Sequence, residues 1–163
     1  DVDAITGFYF TSLLNLNARG IKDEDVDVMM YPKYGVNLYG NAIIVSEQFL
    51  KEKPEAVKAF LRAFTKGMKD VLADPDGSIK FVKDRDALVD ETLEKRRMKL
   101  AIESVIATPE AKANGVGGVL APRLTDMVTQ VSSAFELKNP VTPSAIFSVA
   151  YVRAKADRMV VPK

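Results

Sequence analysis

The sequence contains no cysteine and no histidine. Without cysteine there is no disulfide, no thiolate nucleophile and no thiolate-bound metal. Without histidine, a histidine base, a His-centred triad and the usual zinc site are excluded within these 163 residues. Excess charge is lacking too. Lys and Arg number 23 against 22 Asp and Glu, a formal net charge of +1, so nothing draws the chain toward nucleic acid. No apolar run approaches the ~18 residues of a membrane span. The opening, Asp1-Val2-Asp3-Ala4-Ile5-Thr6-Gly7, has neither the basic stretch nor the apolar run of a signal peptide. It starts inside what reads as a strand-to-helix unit, and the expectation is a piece of a longer protein.

What is present is an ordinary globular composition, 47% hydrophobic and 28% charged. A chain of this length can bury roughly 70% of its unfolded surface as one domain. Residues 2–5 form a short apolar, partly β-branched run ending at Thr6-Gly7, which predicts a strand entering a turn. Leu13, Leu14, Leu16 and Ala18 follow, closed by Arg19-Gly20, a helix C-terminus signal. Val26, Val28, Met29 and Met30 predict a second strand, and residues 41–45 (NAIIV) a third. Between them, YPKYGVNLYG is a connection by its Tyr, Gly, Pro and Asn content. Strand, helix, strand within so few residues implies an α/β arrangement.

From Ser46 the apolar period becomes helical. Ser46 caps a short helix through Leu50, and Pro54 opens a longer one. Val57, Phe60, Leu61, Phe64, Met68, Val71 and Leu72 share one face of it, and Asp74-Pro75 ends it. Further helices are expected around 79–83, over 91–107, from Pro122 through Phe135, and from Thr142-Pro143 through Phe147. Helices with one apolar face must bury it against another layer, yet every candidate strand lies before residue 46.

Three polar groups read as local structure. Residues 114–118 (NGVGG) have no Lys-Ser/Thr and no preceding strand, so they form a flexible surface loop and not a phosphate loop. Lys95, Arg96, Arg97 and Lys99 read as a solvated helix face, with nucleic acid or lipid contact as the lesser reading. Asp84, Asp86, Asp90 and Glu91 lack the glycine and terminal glutamate of a calcium loop and suit helix capping.

The segments VDAITGFYF, YGNAIIVSEQFLKEKPEAVKAFLRAF and TPEAKANGVGGV resemble, in order and spacing, the ABC-importer binding proteins for nitrate, sulfonates, taurine and thiamine-precursor pyrimidines. The resemblance implies a periplasmic-binding-protein-like (type II) α/β fold of two lobes with the ligand between them. This chain would be a helix-rich C-terminal portion: residues 1–39 the end of the second lobe, 40–163 the crossing strand and C-terminal helices of the first. It further implies a periplasmic or extracytoplasmic receptor, not an enzyme, with no cofactor and no metal. Its partners would be a small-molecule ligand, anionic or planar and heteroaromatic, the membrane permease of an ABC importer, and the missing N-terminal half of the same protein.

Ligands in such lobes sit at the carboxyl ends of strands against helix N-termini. Thr6, Gly7, Phe8 and Tyr9 occupy such a junction; their other reading is a turn and core aromatics. Tyr34, Tyr39 and Asn41 flank the proposed crossing, with hinge packing as their other reading. Pyrimidine binders of the family carry an acidic residue just inside the following helix. Thr11, Ser12 and Leu13 stand there instead, which weakens the case for a pyrimidine. Two further classes remain: an enzyme of the related pyrimidine-synthesis branch, whose cysteine-rich motif and histidines are absent from this segment, and a helical interaction domain without a small ligand.

Overall fold

The computed structural model describes residues 2–160. Helix α1 (Tyr9–Asn17) comes first and ends in a left-handed turn. Gly20 has φ 87°, and the Ile21 amide reaches back to the Leu16 carbonyl, the closure that glycine after a helix permits. Two 3-10 turns follow, Asp23–Asp25 and Tyr31–Tyr34.

Helix α2 (Glu47–Glu52) starts where Ser46 Oγ accepts the Phe49 amide, and α3 (Pro54–Ala73) starts with proline in its first turn. Asp74 both ends α3 and caps α4 (Pro75–Lys83) by accepting the Gly77 amide. Asp90 caps α5 (Glu91–Ala101) through the Leu93 amide. The helix expected to run to 107 widens into a π turn over Ile102–Ile106, where the Ala107 amide reaches the Ile102 carbonyl. Ser104 Oγ donates to the Leu100 carbonyl beside it, a side-chain competitor for the helical ladder.

Four α-helices and a 3-10 turn complete the order: α6 (Pro109–Asn114), α7 (Ala121–Ala134), α8 (Pro143–Ile146), the 3-10 turn Val149–Tyr151, and α9 (Lys155–Arg158). Helix α6 was not foreseen, although Thr108-Pro109 carries the same cap-plus-proline signal that marked Thr142-Pro143. Thr108 does cap, accepting the Ala111 amide. Thr142 does not, since its hydroxyl pairs with Ser144 Oγ instead.

The expected strands do not form. Among the described residues there is no β-ladder, and residues 2–5, 26–30 and 41–45 are irregular. Val26 (φ −117°, ψ 115°) has extended geometry. An extended segment becomes a strand only by pairing its backbone groups with a neighbour, and no such pairing forms among the described residues. The described residues are therefore helical and irregular, where the local pattern pointed to α/β.

The core is small. Leu13 and Leu14 of α1, Val57 of α3, Ile79 of α4, and Leu124 and Val128 of α7 are its buried apolar residues. Helix α1 packs on α5, α4 packs on both α5 and α3, and the 3-10 turn Val149–Tyr151 packs on α3. On α3, Val57 alone is buried, while Phe60 and Phe64 stack on each other at 6.2 Å with about half of each exposed. Phe64, Met68, Val71, Ile102 and Ile106 line an apolar groove of about 250 Å³ between α3 and the π turn. No helix among the described residues is long and apolar enough to cross a membrane.

The caps carry a testable share of stability. Asp90→Ala removes the acceptor of the Leu93 amide and should cost about 1 kcal/mol in urea denaturation, whereas Asp90→Ser should recover most of it. Equal stability of Asp90→Ala and the parent would contradict this.

Candidate functional site

The first candidate group lies where the irregular lead enters α1. Phe8 occupies the N-cap with extended geometry (φ −74°, ψ 129°), and its side chain cannot cap. Its carbonyl accepts the Thr11 and Ser12 amides. The Tyr9 and Phe10 amides have no acceptor among the described residues, and the first turn holds no acidic residue. The positive end of the helix dipole is therefore unneutralised.

The Ser12 hydroxyl folds back over the turn toward Gly7, and a Cβ at Gly7 would make that hydroxyl rotate away. Thr6, Gly7 and Phe8 are exposed and Tyr9 is half-buried. The rings of Phe8 and Phe10 stack at 5.5 Å with planes 23° apart. The hydroxyls of Thr6 and Tyr9 make no hydrogen bond with any described residue. This junction thus presents amide donors, free hydroxyls and an exposed aromatic face together.

Helix α5 holds the junction in place. Helix α1, with Leu13 and Leu14 buried, packs on α5. Arg97, gripped by Glu94 at 3.1 Å, sends Nη1 toward the Phe10 carbonyl at 3.4 Å. Asn17 Nδ2 donates to the Ile21 carbonyl and to Asp23 Oδ1, and Arg96 Nη2 holds the other Asp23 oxygen at 2.8 Å.

No hydrogen bond or ring contact joins Tyr34, Tyr39 and Asn41 to one another among the described residues. Tyr34 ends the second 3-10 turn, and both it and Asn41 are exposed. Tyr39 sits in an internal network. Its hydroxyl donates to Glu110 Oε1 at 2.6 Å and accepts the Leu120 amide at 2.8 Å. The Arg123 guanidinium lies over its ring, 4.0 Å from the centroid. Arg123 also donates to the Asn37 and Leu38 carbonyls and to Glu110 Oε2. Burial raises the Tyr39 pKa above its ordinary value, and the hydrogen bond to Glu110 acts in the same direction. Both faces of the Tyr39 hydroxyl are taken, so its observed work is to tie residues 37–39 to α6 and α7. No hydrogen bond or ring contact joins this group to Thr6–Tyr9 among the described residues.

Glu110 and Arg123 were not singled out from the sequence. They lie 13 residues apart on different helices, a spacing that no local period marks. The glycine loop after α6 also departs from expectation. Gly115 is buried, the Val116 amide donates to the Arg158 carbonyl, and Arg158 Nη1 donates to the carbonyls of Gly115 and Val116. It is a pinned turn and not a flexible surface loop.

Residues 1–78 match the family model described as NMT1/THI5 like, a family of binding proteins with periplasmic-binding-protein-like fold. That span holds both candidate groups. A riboflavin-binding protein, RibY, from Chloroflexus aurantiacus is 33% identical over 75 residues. The aligned stretch covers 46% of this chain and 20% of that relative, so the chain spans only a small part of its length. No solved structure is a significant match. Over residues 1–78, just under half of its length, the chain is similar to the NMT1/THI5 like family.

Proposed function

We propose that this chain is part of an extracytoplasmic solute-binding protein that delivers a small ligand to the permease of an ABC importer, and that it performs no catalysis itself. The observation that carries this reading is the uncapped N-terminus of α1. Two amides and two hydroxyls without a partner among the described residues share one turn with a stacked aromatic pair, Phe8 exposed and Phe10 half-buried, inside the span that matches the family model. Such a turn can hold an oxygen with its amides and a planar ring with its aromatics. The relative's name, riboflavin-binding protein, favours a planar heteroaromatic ligand.

In this reading residues 1–39 end the second lobe, and residues 40–163 contribute the crossing and the C-terminal helices of the first. The half-exposed Phe60 and Phe64, with the groove between α3 and the π turn, support it. Exposed apolar surface of that kind suits packing against the N-terminal half of the same protein. Tyr34 and Asn41, both exposed, would face the cleft, and Tyr39 would hold the crossing beneath it.

Titration of the full chain with riboflavin, read by quenching of flavin fluorescence, and with taurine, read by calorimetry, tests the site. Tyr9→Ala should weaken the ligand that binds about 10- to 100-fold, the equivalent of ~1–3 kcal/mol for a truncated polar contact. Tyr9→Phe separates ring from hydroxyl. Loss in Tyr9→Ala alone assigns the contact to the ring, and loss in both assigns it to the hydroxyl. Saturable binding that survives in a folded Tyr9→Ala protein removes Tyr9 from the site. Absence of binding by both probes removes the ligand classes proposed.

A further inference from the structure

We propose a second ligand site, a small pocket for a phosphate-class oxyanion between α3 and the segment leading into α9. A concavity of about 180 Å³ lies there, lined by Lys58, Arg62, Tyr151 and Arg153 together with the chain between Ala150 and Ala154. Ligand pockets for larger organic molecules run to ~300–1,000 Å³. This one is of a size for a single charged group.

The cations come from two separate elements. Lys58 and Arg62 are four residues apart on α3 and so share one face. Arg153 comes from the separate segment after the 3-10 turn Val149–Tyr151, which packs on α3. Gathering three cations around one concavity is unfavourable unless counter-charge sits among them. The protein supplies part of it. Glu55 takes the Lys58 ammonium at 2.7 Å, and Asp157 takes Arg153 Nη2 at 2.6 Å.

Two donors remain. Arg62 has no hydrogen-bond or ion-pair partner among the described residues. Arg153 Nε is buried with no hydrogen-bond partner among them, although buried donors are nearly always satisfied. A guanidinium offers a planar fork that suits two oxygens of one anion, and an ammonium and a phenol can serve the remaining oxygens. A tetrahedral oxyanion matches this set better than a carboxylate, because it presents acceptors toward both walls at once.

The geometry therefore points to inorganic phosphate as the probe. Titration of the full chain with phosphate, at ionic strength held constant with chloride, should give saturable shifts of the Arg62 and Arg153 side-chain NMR signals. Arg62→Gln lies on an exposed helix face and should fold with unchanged melting temperature. It should weaken phosphate at least tenfold, and Lys58→Gln severalfold. Lys112→Gln, on the exposed face of α6, should bind phosphate as the parent does. A non-saturable response, an equal response to chloride, or undiminished binding by Arg62→Gln would each overturn the proposal. Riboflavin or taurine binding at Thr6–Tyr9 is read on other residues, so failure of one site is distinguishable from failure of the other.

Discussion

Gly115→Ala should destabilise the protein by about 2–4 kcal/mol, one of the two largest effects expected from a single substitution here. Gly115 has φ 80° and ψ 157°, a region that only glycine enters without strain. A methyl group there would also stand 2.9 Å from the carbonyl carbon, the carbonyl oxygen and the Cβ of Arg158. Two of those atoms are backbone, so no rotamer change relieves the contact. Relief requires the segment around Arg158 to lift away. That would break the Val116 amide bond to the Arg158 carbonyl and the two bonds from Arg158 Nη1. Chemical denaturation measures the total, and hydrogen exchange at the Val116 amide shows whether the loss is local. Retained protection of that amide, with stability unchanged within ~0.5 kcal/mol, would sink the argument. Gly117→Ala is the informative control. It shares the positive φ, 71°, but its added methyl would meet open space, so it should lose only the backbone part.

Arg123→Ala should cost about 2–3 kcal/mol. One side chain donates at 3.1 Å to the Asn37 carbonyl, at 2.8 Å to the Leu38 carbonyl and at 2.8 Å to Glu110, and covers the Tyr39 ring. A hydrogen bond from a charged donor contributes ~1.5–3 kcal/mol, but these act as one unit and do not add. Water also re-enters, because about a quarter of the Arg123 and a fifth of the Glu110 side chain are exposed. Arg123→Lys keeps the charge yet loses the planar fork, and should restore less than half of the loss. Urea denaturation of both variants checks this. If lysine restores everything, the charge alone matters and the fork geometry does not.

Tyr39 shows why the site was harder to read than the helices. Its position beside the proposed crossing was visible in the sequence, but its partners were not. Glu110 and Leu120 lie 71 and 81 residues away. A tyrosine in a loop looks the same whether its hydroxyl awaits a ligand or is held by a distant carboxylate. Thr6–Tyr9 differ in that the geometry described there is local. An aromatic at the N-cap, glycine before it and no acid in the first turn can all be read from consecutive residues.

The sequence by itself marked α1 to α5, α7 and α8 and most of their ends, though not α6 or α9. Pro54 opens α3, Ser46 and Asp90 cap their helices, Gly20 closes α1, and the period of Val57 to Leu72 sets the apolar face. Helical hydrogen bonds close within four residues, so propensity, caps and period carry the information. Only the tertiary structure decided that residues 2–5, 26–30 and 41–45 stay unpaired among the described residues, although each has a strand-like composition. It alone placed Arg158 against Gly115, set Arg123 over Tyr39, and gathered Lys58, Arg62 and Arg153 around one concavity. Each of these depends on groups that meet across long stretches of chain, and no local pattern encodes such a meeting.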